Sequence, residues 1–146
     1  MTMTDAADKS KLIPDTDKFR FLHTMIRVRD LDASLRFYTN LLGMSSCANA
    51  IILAGSLPSP LSVYGDESSN AVIELTHNWG QAEPYSLGSA FGHLALGVPD
   101  VYETCERLAA AGVKIPRPAG PMPHGGSVIA FIEDPDGYRI ELVQSP

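Results

Sequence analysis

Two runs decide the fold: Phe21-Leu-His-Thr-Met-Ile-Arg-Val28 and Phe91-Gly-His-Leu-Ala-Leu-Gly-Val98. Both are short and apolar, and both carry a histidine at the third position. Their length and alternation predict β-strands, with His23, Met25 and Arg27 on one face of the first. An aspartate follows each histidine by seven residues, Asp30 and Asp100. A short acidic side chain there can accept a hydrogen bond from the first helical amides, so each predicts a helix start. Leu31, Leu35, Phe37, Tyr38 and Leu41 form the apolar stripe of the first helix. Val101, Cys105, Leu108 and Ala109 form that of the second. Gly43 and Gly112 stop the two helices.

Further strands follow in each half. Ala71 to Thr76 is one; Val128 to Glu133 and Tyr138 to Val143 are two more. Gly125-Gly126 predicts a turn, and Asp134-Pro135-Asp136-Gly137 a type I turn, with Pro at its second position and Gly at its fourth. Each half reads strand–helix–strands, an internal repeat of about 70 residues in a chain of 146. The expected organisation is an N-terminal arm over 1–19, a first module over 20–80, a Gly/Pro/Ser-rich linker over 81–90 and a second module over 91–146. The class is α+β.

The repeat places four metal-ligating side chains at matching points. His23 and His93 open the halves, and Glu74 and Glu141 close them, each within Ile-Glu-Leu. Glu74 follows His23 by 51 residues and Glu141 follows His93 by 48. A lone histidine at a strand start is usually an ordinary polar residue, and a lone glutamate can simply face solvent. Two imidazoles and two carboxylates at homologous places instead suit one octahedral metal site, with two positions left for water or substrate oxygens.

Composition bounds the partners. The net charge of −6 argues against nucleic acid, and no apolar run reaches the length of a membrane span. The polar first 18 residues lack the apolar stretch of a signal peptide. Two cysteines, Cys47 and Cys105, are too few for a disulfide scaffold and fit a reducing cytoplasm, as ordinary buried or half-exposed thiols.

Five strings taken together resemble a known family: Leu22-His-Thr-Met-Ile-Arg-Val28; Asp-Ala-Ser-Leu-Arg-Phe-Tyr-Thr-Asn-Leu-Leu-Gly-Met over 32–44; Glu74-Leu-Thr-His-Asn-Trp-Gly80; Phe91-Gly-His93; and Ala130-Phe-Ile-Glu-Asp-Pro-Asp-Gly-Tyr-Arg-Ile-Glu-Leu142. In this order and spacing, over about residues 20 to 143, the chain is similar to glyoxalase I (lactoylglutathione lyase) of the vicinal-oxygen-chelate superfamily, in its short bacterial form. The resemblance implies two βαβββ modules forming cupped mixed sheets around a metal. It implies isomerisation of the methylglyoxal–glutathione hemithioacetal to S-lactoylglutathione through a metal-stabilised enediolate. His23, Glu74, His93 and Glu141 would hold a divalent ion, Ni(II) before Co(II) or Zn(II), with Glu141 as the main base and Glu74 serving the opposite face. Arg27 would bind the glutamyl end of glutathione, and Asn78 matches the family's glutathione-binding asparagine. His124 stands where the family places a lysine, and Trp79 is expected to pack. The short relatives share sites between two chains of a homodimer, although the same four residues could pair within one chain. Rival readings are an extradiol dioxygenase, an epimerase, or a metal-binding relative without activity.

Ser45 to Val63 departs from the family in residues while keeping its length, which is what two compensating shifts of reading frame produce. If the printed residues are each read one base late, permitted codons decode in the earlier frame to family-like Arg-x-Arg-Asp-Tyr-Pro and Lys-Phe-Thr-Leu-Ala-Phe-Val-Gly runs that join Tyr64-Gly65. As the sequence stands, Pro58 and Pro60 alternate where a strand is expected, and each removes a ladder donor. Substrate contacts and stability are expected to suffer there, while the four ligands lie outside it. Peptide mapping of the protein across Met44 to Tyr64 tests the frame-shift expectation: peptides matching the printed residues, from an uninterrupted reading frame, would rule out a sequencing error.

Overall fold

The computed structural model describes residues 19–47, 61–66 and 68–145. All but the last residue of the arm expected over 1–19 lies outside them, as do Pro58 and Pro60. The chain forms β1 (His23–Arg27), α1 (Leu31–Arg36), β2 (Ser45–Cys47), β3 (Leu61–Val63) and β4 (Val72–Thr76), then β5 (Leu94–Val98), α2 (Val101–Ala110), β6 (Lys114–Pro121), β7 (Val128–Glu133) and β8 (Arg139–Gln144). The first four strands make a sheet of order β1-β4-β3-β2, and the other four make one of order β5-β8-β7-β6. The two orders are the same when each half is numbered from its own start. In both, the first strand runs parallel to the last and the other pairings are antiparallel. The strand segments at both ends of the anomalous 45–63 stretch therefore pair, Ser45 with Val63 and Cys47 with Leu61.

Alternation sets the faces. Along β1, His23, Met25 and Arg27 are exposed while Ile26 is buried. Along β8, Ile140 and Leu142 are buried completely. The inward sets of both sheets meet the helices in one core containing Ile26, Leu75, Val101, Leu108, Ile132 and Leu142. Burying a Leu or Ile side chain fully is worth about 1.5–3 kcal/mol each. That leaves the other face of each sheet open.

Both helices start as expected. Asp30 Oδ1 accepts from the Ala33 amide at 2.9 Å, and Asp100 Oδ1 accepts from that of Glu103 at 2.9 Å. The first helix departs from a regular stripe. After Arg36 it widens into a π-helical turn over Phe37–Leu41, with the Leu42 amide donating to the Phe37 carbonyl at 3.1 Å. The extra residue in the turn lets neighbouring Phe37 and Tyr38 both reach the core, while Leu31 and Leu35 are only half-buried. Ser34, absent from the expected stripe, is fully buried. In α2 the buried face is Val101, Cys105 and Leu108; Ala109, expected with them, is exposed because it sits one step further round the helix. β6 is the strand least legible in the sequence, since it carries Pro116, Pro118 and Pro121. It lies at a sheet edge, where a missing donor is tolerated. Its irregular register is bridged by Arg117, whose Nη1 donates to the Ile129 carbonyl at 2.7 Å and Nη2 to that of Pro121 at 3.1 Å.

The Asp134–Tyr138 turn joins the halves. Gly137 takes φ +88°, and its amide donates to the Asp134 carbonyl at 3.0 Å. The Tyr38 hydroxyl donates to Asp134 Oδ2 at 2.8 Å, and Asp134 Oδ1 accepts the amides of Asp136 at 2.9 Å and Tyr138 at 2.8 Å. Asp136 Oδ1 accepts the Arg29 amide at 2.9 Å, and the Tyr138 hydroxyl donates to the Arg27 carbonyl at 3.0 Å. Burial pushes the Asp134 carboxyl up to about 6, only partly offset by the Tyr38 hydroxyl and the two amides. Burial and the neighbouring Asp134 charge push the Tyr38 phenol upward as well.

Because the folded value of Asp134 lies above its unfolded one, the folded chain holds that proton more tightly. The stability this gives is complete below the unfolded value of about 4 and is lost as pH rises through 6. Asp134→Asn keeps the shape and removes the titration. The melting temperature of the variant relative to the native chain should therefore rise between pH 4 and pH 7. A difference that stays constant across that range would contradict the assignment.

Candidate metal centre

The parallel pairing of first and last strands brings each histidine to its glutamate. In the first half Met25 faces Glu74 in register; in the second, Ala95 faces Glu141. In both, the glutamate sits opposite the residue two beyond the histidine, so both side chains emerge on the same face. His23 Nε2 lies 3.3 Å from Glu74 Oε2, and His93 Nε2 lies 3.1 Å from Glu141 Oε2. The imidazoles are 42% and 40% exposed and the carboxylates 14% and 19%, so each pair stands on a supported wall with its donors turned to the open face.

These distances test whether the residues suit a metal. Donors about 2.1 Å from one ion and at right angles to each other stand about 3.0 Å apart. Each pair matches one edge of a coordination octahedron. The donor chemistry, imidazole nitrogen with carboxylate oxygen, suits a borderline divalent ion. Each pair supplies half of the four ligands expected. Among the described residues no group of three or more His, Cys, Asp or Glu side chains comes together that could hold an ion. Among the described residues the two pairs stand apart, each offering two of the four ligands expected.

The remaining expected site residues are placed as follows. Arg27 is exposed on the same face of β1 as His23. Asn78 is half-buried just past β4, and its Nδ2 donates to the Tyr85 hydroxyl at 3.0 Å. His124 is exposed in the turn between β6 and β7. Trp79 corrects an expectation: it is 62% exposed, with its ring edge-on to His77 at 6.3 Å, because the chain has already left the sheet there and no helix covers it. Aromatic neighbours of the second half-site carried no sequence signal. Phe131, in register with Glu141, packs edge-on against His93 at 5.2 Å, and Phe91 packs against Tyr138 at 5.5 Å. The pairing of β7 with β8 identifies Phe131, and the ring contact with Tyr138 identifies Phe91.

Known proteins bear on this geometry. Residues 20–142 match the glyoxalase/bleomycin resistance protein/dioxygenase superfamily. A probable lactoylglutathione lyase of Synechocystis is 56% identical over 124 residues, covering 85% of this chain and 94% of that protein. The lactoylglutathione lyase of Neisseria meningitidis is 51% identical, covering 86% and 90%. Among solved structures, glyoxalase I from Zea mays is similar at a TM-score of 0.80 and 39% identity over 86% of this chain, which spans 44% of the maize chain. The trypanothione-dependent glyoxalase I of Leishmania major is similar at 0.74 and 41% identity, covering 86% of both chains. With more than half of the aligned residues identical to these lyases across nearly their whole length, and the same fold as the solved enzymes, the chain belongs to the glyoxalase I (lactoylglutathione lyase) family of that superfamily.

Proposed function

We propose that this protein isomerises the hemithioacetal of methylglyoxal and glutathione to S-lactoylglutathione, at a nickel site whose ligands are His23, Glu74, His93 and Glu141. The observation that carries the reading is the repeated pair, His23–Glu74 at 3.3 Å and His93–Glu141 at 3.1 Å, each spaced as two adjacent ligands of one ion. When bound, the ion supplies Lewis-acid stabilisation of negative charge on two neighbouring substrate oxygens. The protein's own groups do the rest. Glu141 takes the proton from the carbon beside the carbonyl and returns it to the adjacent carbon. One carboxylate suffices because the two carbons lie within its reach in a single bound pose. Glu74 faces the substrate from the other wall. Arg27 and Asn78 receive the glutamyl end of glutathione, and His124 stands near the glycyl end. A neutral imidazole grips a carboxylate less firmly than the ammonium of a lysine would.

A chain with two half-sites completes neither alone. In this reading the His23–Glu74 wall of one subunit faces the His93–Glu141 wall of a second in a twofold homodimer, giving two whole sites per pair of chains. The exposed Phe21, Leu22 and Met25 around His23 are apolar surface suited to such a contact. The setting is the cytoplasm. No helix of the described residues is long and apolar enough to cross a membrane.

Nickel-reconstituted protein supplied with methylglyoxal and glutathione should form thioester, followed by its ultraviolet absorbance. Glu141→Gln should lower turnover by roughly two to four orders of magnitude, the usual worth of a positioned base. Full activity in that variant would end the assignment of the base. A second experiment addresses the shared site. One variant carries His23→Ala with Glu74→Gln, the other His93→Ala with Glu141→Gln, and each is expected to be inactive by itself. Unfolding and refolding them together should restore activity, because one of the two sites in a mixed dimer then keeps all four native ligands. Sites formed within single chains would leave the mixture as inactive as its parts.

A further inference from the structure

A cavity of about 460 Å³ opens beside His93, walled by Leu87, Phe91, Phe131 and Arg139 and floored in part by Gly92. A side chain added at Gly92 would meet nothing within 4 Å. Among the described residues the cavity has no acidic lining. Arg139 shares a sheet face with Glu141, two residues along β8. Its partner in register across β7 is Glu133, whose carboxylate is held by Lys114 Nζ at 2.6 Å. Arg139 itself has no ion pair among the described residues. A guanidinium left unpaired in a chain of net charge −6, at an aromatic-walled recess adjoining a candidate metal ligand, is placed for an anionic ligand.

We propose that Arg139 is a substrate-binding residue that receives the glutamyl α-carboxylate of the glutathione moiety, as a specificity contact additional to Arg27 and Asn78. This rests on the glutathione reading above. The register supports the choice of end. Glu141 faces Phe131 near the middle of β7, with Arg139 opposite Glu133 to one side and the His124 turn beyond Val128 to the other. Glu133 and Val128 are five residues apart, about 17 Å of strand. An extended tripeptide covers about 10 Å, and the Arg139 and His124 side chains reach inward over the remainder. A thiol adduct centred at Glu141 with its glycyl end towards His124 thus has its glutamyl end at Arg139. The planar fork of Arg pairs bidentately with a carboxylate, and Phe91 and Phe131 exclude water from the flank.

The test is calorimetric binding of S-hexylglutathione, a non-reacting thioether, to the nickel-loaded protein. A second ligand is its analogue with 4-aminobutyryl in place of γ-glutamyl, which lacks the α-carboxylate. Arg139→Gln should bind S-hexylglutathione roughly tenfold more weakly, the low end for a charge-assisted contact at an open site. Arg139→Lys should recover part of the loss. The analogue should bind the native chain and Arg139→Gln alike. Nickel affinity should be the same in all three proteins, and in turnover KM should rise with kcat unchanged. Native-like binding of S-hexylglutathione by Arg139→Gln, or an equal loss for the analogue, overturns the role of Arg139 and leaves the glutathione reading standing. Failure of the native protein to bind S-hexylglutathione at all overturns both.

Discussion

The hydrogen bond from Tyr38 to Asp134 is the constraint on which the two-module arrangement depends. It is buried, 2.8 Å long, and links the end of the first helix to the last turn of the second sheet, 96 residues away. A buried carboxylate is tolerated only when its oxygens are matched by donors, and Asp134 has a hydroxyl and two amides. Around it Asp136 and Tyr138 bind the backbone at Arg29 and Arg27, just beyond and at the end of the strand that carries His23. The seam therefore orients the first half-site's strand relative to Glu141's strand. The widened helical turn at Phe37–Leu41 belongs to the same device, because it brings Tyr38 to the seam while Phe37 stays in the core.

Given that seam, the symmetry of the halves has a chemical consequence. Each sheet places its first strand parallel to its last, so a histidine near the beginning of each module and a glutamate near its end become neighbours on one open face. Duplication repeats the placement without bringing the two placements together, since the core that unites the modules lies on the opposite faces of the sheets. The four-ligand centre proposed above would call for a second copy of the surface.

Family membership and the altered 45–63 stretch are compatible for a physical reason. The residues that carry the fold's inward faces and the expected ligands lie on β1, β4, β5, β7, β8 and the two helices, outside that stretch. Its ends form β3, next to β4, and β2 at the edge of the first sheet, where changes of residue disturb the least packing. The cost expected of Pro58 and Pro60 concerns residues outside those described.

By itself the sequence determined the elements and the candidate ligands. Alternation gave β1 its face, Asp30 and Asp100 announced both helices, and the spacing of His23, Glu74, His93 and Glu141 exposed the repeat, because each of these signals is local or is periodic along the chain. It did not determine the π-helical turn, the burial of Ser34, the exposure of Trp79 and Ala109, or β6 with its prolines, for these depend on what covers each residue in space. The Asp134–Tyr138 turn shows the difference most clearly. As a string it reads only as a tight turn common to many relatives. In the fold its carboxylate is the buried acceptor that joins the halves, because only tertiary packing brings Tyr38 to it and removes the water that would otherwise satisfy it.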